Sequence, residues 1–225
     1  MDGIFLSPVY RMQTDAPIYR ELLTRRTPTL ILGQRAAFCS QFPCVEPDDL
    51  AGSHKLTKHL LDLGHRRIAF FAGHVASPSA QERFEGYRRA LREVDLDVDE
   101  KLIFQAGSTI EDGAKAALEM INESTRATAV QADNDLVAIG AANAFLNQGV
   151  KIPDDLSVTG FGNVLAAEYF RVPLTTVRQP KFRLGVAAME AMQLLLGGGR
   201  PQTKRLPADL IVRSSTAAPA KKAAA

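Results

Sequence analysis

From residue 50 to residue 161 the chain alternates helical and strand-like stretches, a pattern that admits few folds. Asp48 and Asp49 stand where a helix is capped, and Leu50, Leu56, Leu60 and Leu63 follow at helical spacing. Gly64 occupies the place of a left-handed C-terminal cap. Ile68–Ala72 then reads as a strand, Gly73–Gln81 as a polar loop and Glu82–Glu93 as a helix. The order repeats: strand Leu102–Gln105, a helix from Ser108 or Thr109 to about Asn122, and strand Ala127–Gln131. Asp133-Asn134 caps a helix over Asp135–Asn147, which Gly149 closes before the strand Leu156–Phe161. Alternation of this kind predicts an α/β fold, a parallel sheet with helices on both faces.

The flanks are less regular. Ile4–Leu6 and Thr29–Leu32 read as strands, Ala16–Arg25 as a helix, and residues 34–47 as irregular, with Pro43 and Pro47 as breakers. After Phe161 come a polar loop, a short helical segment, Pro173 and a strand at Leu174–Val177. Phe182–Leu196 is an amphipathic helix, Leu206–Val212 a last strand, and residues 217–225 a flexible tail. Pro173 lies where the chain changes direction, so the expectation is two lobes with a small-molecule cleft between them.

Composition narrows the function. The 27 basic and 25 acidic residues nearly cancel, which argues against a nucleic-acid or membrane-surface field. No apolar run reaches the ~18 residues of a membrane span, and the first residues do not resemble a secretion signal. Cys39 and Cys44 read as plain thiols of a reducing cytoplasm. There is no phosphate-binding or dinucleotide glycine motif, and His54 and His59 lack the spacing of a helical metal pair. No cofactor or metal is expected, and no matched acid and base suggests an enzyme.

In parallel sheets ligands sit beyond the carboxyl ends of the strands. Those ends carry His74, Ser77, Ser79, Arg83, Ser108, Asp133-Asn134-Asp135, Gly162 and Asn163, all suited to hydroxyls, carbonyls or anions. Arg83 falls in the first turn of its expected helix, where a cation opposes the dipole and a bidentate ligand contact would compensate. The alternatives are a solvent-facing arginine or a pair with Glu82 or Glu85. Asn134 and Asp135 can equally be caps. Gln131 is a polar residue in an apolar run, facing either a cleft or a sheet edge. His65 is expected to bond the last carbonyls of the preceding helix.

Several segments in order resemble the effector-binding domain of lactose-repressor-type (LacI/GalR) transcription regulators. They are Leu-Gly-His-Arg-Arg-Ile-Ala (63–69), Arg-Phe-Glu-Gly-Tyr (83–87), Ala-Asp-Asn-Asp-Leu-Val-Ala-Ile-Gly (132–140), Ile-Pro-Asp-Asp-Leu-Ser-Val-Thr-Gly-Phe (152–161) and Leu-Thr-Thr-Val-Arg-Gln-Pro (174–180). The resemblance implies a periplasmic-binding-protein-like fold of two lobes, a first lobe of residues 1–47 and 174–199 and a second of 48–173 and 200–216. It implies a small-molecule effector, a sugar or sugar derivative, bound in the interlobe cleft, a cytoplasmic homodimer, and no enzymatic activity. A solute-binding protein of a sugar transporter is the alternative on the same fold.

The resemblance makes Arg83 the effector-binding arginine, with Ser77 and Ser79 polar positions before it, Ser108 a wall position, and Asn134 and Asp135 the strand-end pair. Gly162 stands where the family usually has an effector-binding aspartate; either that role passes to Asn163 or Asp133, or the ligand differs from the common sugars. The family's helix-turn-helix and first strand–helix units are not in this sequence. The first lobe is therefore expected to be incomplete, with operator DNA reached only through a domain this chain lacks. Arg83→Ala is expected to abolish effector binding with little loss of stability.

Overall fold

A computed structural model describes residues 2–8 and 16–220. The chain forms two compact units, each with its own parallel sheet flanked by helices.

The first unit takes the residues up to Asp48, Ala76–Ser79 and Gln179–Ala208. Its strands β1 (Ile4–Leu6), β2 (Thr29–Leu32), β3 (Cys44–Asp48) and β9 (Lys204–Pro207) lie side by side in that order, all parallel. Alternate residues face opposite sides. Leu30 and Val45 meet Ala187, Ala188, Ala191 and Met192 of helix α7 (Lys181–Leu196). Ile31 and Cys44 meet Tyr19 of helix α1 (Ala16–Thr24), together with Cys39 and Phe42.

Strand β3 corrects the expectation that residues 34–47 are irregular. Pro47 is tolerated there for a reason of register. Val45 accepts from Gly33, so the odd residues of β3 turn their polar groups toward β2. That strand has ended by the time Pro47 is reached, and the missing N–H has no ladder partner to lose.

The second unit takes Asp49–Val75, Ala80–Arg178 and the chain from Asp209 onward. Its sheet runs β5 (Ile103–Gln105), β4 (Ile68–Ala72), β6 (Ala129–Ala132), β7 (Ser157–Thr159), again parallel throughout. Ile68 and Phe70 face helices α2 (Asp49–Asp62) and α3 (Pro78–Arg92), against Leu60, Tyr87 and Leu91. Ala69 and Phe71 face α4 (Ile110–Asn122) and α5 (Asp135–Asn147). Burial on both faces is what a parallel sheet requires, and it explains the near-continuous apolar strands.

Helix ends follow the expected chemistry. Thr109 caps α4 in a reciprocal box with Asp112, and Asn134 caps α5 through Val137 N. Gly64, at φ +101°, closes α2: its N–H reaches Leu61 O and that of His65 reaches Leu60 O. The His65 ring does not bond the helix carbonyls as expected. Arg66 meets Leu61 O instead, and the buried imidazole links Thr128 Oγ1 (2.9 Å) to Ala217 O (2.8 Å).

The two-lobe boundaries need correction. The expected strand over 206–212 is two strands in different units, β9 and β10 (Asp209–Ile211), with Pro207 ending the first. Strand β10 pairs antiparallel with β8 (Thr176–Arg178), so residues 174–178 belong to the second unit and 200–208 to the first. Residue 217 is not part of a free tail, since Ser157 Oγ also bonds both its N–H and its carbonyl; residues 221–225 lie outside the described ones.

Helices α4 and α5 touch through glycine. A Cβ on Gly140 would overlap Ile110 O, and one on Gly113 would overlap Val137 O. Gly140→Ala should therefore lower stability by about 1–3 kcal/mol through overpacking, although alanine gains ~1 kcal/mol in helix propensity. Gly185→Ala on α7, where a Cβ meets open space, should raise it by up to about 1 kcal/mol. Urea midpoints of the two variants check the opposite signs.

Burial holds the pKa of His65 below its ordinary value, and burial does the same for His59, which bonds Thr216 Oγ1. The unfolded chain then binds more protons, so this stability is present above about pH 6.5 and lost as pH falls through the folded pKa. The urea midpoint should drop between about pH 7 and 5, and a His59→Gln/His65→Gln variant should flatten that slope.

Candidate functional site

The site is built on the carboxyl edge of the second unit's sheet, and an arginine organises it. Arg83 sits in the second turn of α3, not the first, because the helix begins at Pro78, a residue suited to the first helical position. Its guanidinium donates from Nε (3.0 Å) and Nη2 (2.8 Å) to Asp49 Oδ2. Nη1 donates to the carbonyl (2.8 Å) and to Oδ2 (3.2 Å) of Asp133. The cation also lies over the Phe161 ring, 4.3 Å from its centre, close enough for a cation–π contact. The expected alternative of a solvent-facing arginine does not describe it, and Glu85 holds Arg88 and Arg89.

Both aspartates are buried. Asp49 is fully enclosed at the start of α2, and Asp133 is 6% exposed just past β6. Burial pushes the Asp133 carboxyl up, the Arg83 charge opposes this, and Asp49 adds to the rise. The Asn134 amide eases the charge, yet no donor stands in hydrogen-bonding geometry to Asp133 Oδ1. Among the described residues, that oxygen is the buried side-chain polar atom without a hydrogen bond. An orphaned buried acceptor costs about 1–3 kcal/mol, so such atoms ask for an explanation.

The remaining candidates divide. Asp135 is a clamp: its carboxylate accepts from Thr176 Oγ1 (2.6 Å) and Val164 N (2.8 Å), fixing the loop after β7. Gly162 has φ +125°, a region nearly closed to other residues. Asn163 is spent on Arg213, which donates to its Oδ1 at 2.7 Å. Asn134 is the cap of α5, and its Nδ2 reaches Ser108 O at 3.5 Å. Ser108 is exposed and bonds Asp112, and His74 is exposed on the loop after β4. Ser77 and Ser79 fall in the Ala76–Ser79 segment that clusters with the first unit, not with Arg83.

Gln131 faces neither cleft nor edge. It is buried between α2 and the sheet, accepting from Thr57 Oγ1 (2.6 Å) and donating to Ser53 Oγ (2.8 Å). Ser53 Oγ in turn donates to Arg83 O at 2.5 Å. Sequence reasoning missed Asp49 as a site residue, since an acid at a helix start reads as a cap. No group of three or more metal-ligating side chains occurs among the described residues.

This fold and strand-end site define a periplasmic binding protein-like domain. The chain belongs to that family, whose model matches residues 57–216. It is 32% identical to the HTH-type transcriptional regulator DegA of Bacillus subtilis over 96% of this chain, and 33% identical to the HTH-type transcriptional repressor CytR of Escherichia coli over 97%. It spans 64% and 63% of those two proteins' lengths. Among solved structures it is similar to a transcriptional regulator CelR–cellobiose complex (TM-score 0.88, 29% identity, 96% of this chain and 66% of the other). It is also similar to a LacI family regulator from Enterococcus faecium with bound ribose (TM-score 0.83, 27% identity, 97% and 80%). Within its family the chain is an effector-binding domain of the LacI/GalR type.

The ion pairs overturn one expectation. Arg83→Ala removes the cation that pairs with two buried carboxylates, and should cost about 3–5 kcal/mol. Arg83→Lys should recover only part of this, because an ammonium cannot fork to both aspartates. Urea denaturation of the three proteins checks the order.

Proposed function

We propose that this chain is the effector-sensing part of a bacterial transcription regulator, and that its effector is a neutral, hydroxyl-bearing small molecule such as a sugar or nucleoside. The observation that carries the reading is Asp133 Oδ1, a buried acceptor just past β6 with no hydrogen bond among the described residues, which a ligand donor would meet once the enclosing side chains part. Arg83 is the positioning residue: its donors hold Asp49 and Asp133, so it aims the carboxylate. A ligand hydroxyl on Oδ1 would remove the penalty of an unmet buried acceptor.

The relatives support the class. Those named above are regulators, which favours this reading over a transporter's solute-binding protein, and two structural neighbours hold cellobiose and ribose. An effector acts by binding one conformation better than another, which shifts their populations. In this reading the regulator is a cytoplasmic homodimer, and DNA contact belongs to a helix-turn-helix domain, not to the residues described here. Among those residues, no helix is long and apolar enough to cross a membrane.

Thermal melts with neutral sugars and nucleosides test the proposal. One class should raise Tm, with a stabilisation of about 2.7 kcal/mol at a ligand concentration of 100 Kd. Asp133→Asn should weaken that ligand's binding at least about tenfold, the loss of one charge-assisted hydrogen bond. A panel that leaves Tm unmoved, or a ligand whose affinity ignores the Asp133 change, would sink it.

A further inference from the structure

A cavity of about 160 Å3 opens beside the strand-end site, wholly within the second unit. Its walls are carbon: Ala72 and Gly73 at the end of β4, Ala80 and Phe84 on α3, and Ile103 on the end strand β5. Its rim is exposed, with Val75 at 74% and the amides of Gln81 and Gln105 as the polar side chains. No charged side chain lines it.

The space follows from the architecture of the neighbouring site. A Cβ on Gly73 would meet the Asp133 carboxylate on one side and press on Ala80 on another. The corner between β4 and α3 is thus held to residues too small to fill it. The walls are also stiff. Phe84 stacks on Tyr87 (6.0 Å, 19°) and tilts against Phe70 (5.3 Å), so its ring is a fixed surface. Gln81 Nε2 donates to Val75 O at 2.8 Å and pins the rim. A preformed apolar surface loses little freedom on binding, which favours affinity.

We propose that this cavity binds a single uncharged six-membered ring, of the phenol or cyclohexanol class, lying against Phe84 with one small polar substituent at the glutamine rim. Size sets the scale of the occupant: the space is open at its rim, and its volume is near that of the enclosed apolar cavity of about 150 Å3 that holds one benzene-sized ring. The lining disfavours a cation, since no charged side chain lines the walls and the Arg88 guanidinium lies over the Phe84 ring, 5.9 Å from its centre. The site does not depend on the effector reading, because neither Asp133 nor any sugar enters the argument for its occupant.

Amide NMR of the full 15N-labelled chain, titrated with phenol, tests the assignment. Saturable shifts at Gly73, Ile103 and Gln105 are expected, with an apparent Kd of about 1 mM for a ligand this small. Benzylammonium should bind at least about tenfold more weakly. Ile103→Trp should fill the cavity and abolish the saturable shifts. Val75→Asn, at an exposed position that does not threaten folding, should weaken phenol about two- to fivefold. Shifts that grow linearly without saturating would overturn the proposal, as would phenol affinity unchanged in both variants. Equal binding of benzylammonium would overturn the exclusion of a cation.

Discussion

The guanidinium of Arg83 is the tie on which the second unit's site depends. It joins the start of α2, the second turn of α3 and the end of β6, three places far apart in sequence, through Asp49 and Asp133. A buried ion network contributes little net stability relative to a well-packed apolar one, because desolvation offsets most of the attraction. What it fixes is geometry. The neighbouring Ser53–Gln131–Thr57 hydrogen bonds do the same one layer deeper, and Gly86 lets α2 come close enough for both, since a Cβ there would overlap Leu50 O. The strand-end surface therefore sits on a polar frame whose members are all committed, save one oxygen.

The three acids near the strand ends differ in how much of their capacity is used. Asp49 and Asp135 are internal: one faces the arginine, the other holds the loop that carries Gly162. Asp133 gives Oδ2 to Arg83 and leaves Oδ1 unmet. An aspartate at 162 would meet strain at φ +125°, so placing a carboxylate there is not a neutral change. The loop's conformation and its glycine go together.

Much of the fold was legible because it is local. Helical and strand periodicities, the Asn134 and Thr109 caps and the Gly64 closure are written within a few residues of where they act. Strand β3 was not, because Pro43 and Pro47 read as breakers and only the early end of β2 makes Pro47 harmless. The split of 206–212 was hidden for a similar reason: β9 and β10 find partners some 160 and 30 residues away, and no local pattern records that. Arg83 was singled out as a first-turn cation needing compensation, whereas the structure places it in the second turn, between two aspartates. Its partners lie 34 and 50 residues distant, so their identity, and with it the arginine's role, emerged only in three dimensions.

Under the proposed function, charge decides what the site can accept. Asp49 and Asp133 face one guanidinium, and four of its N–H contacts go to them. An anionic ligand would meet a surplus carboxylate with its nearest cation already engaged, and in a poorly solvated setting that repulsion is felt strongly. A hydroxyl or amide N–H meets the reverse: an acceptor whose desolvation has been incurred in folding, so the new hydrogen bond counts almost fully toward binding. Burial raises the Asp133 carboxyl and so works against its ionised form, while the Arg83 charge, and any donor placed on Oδ1, work for it.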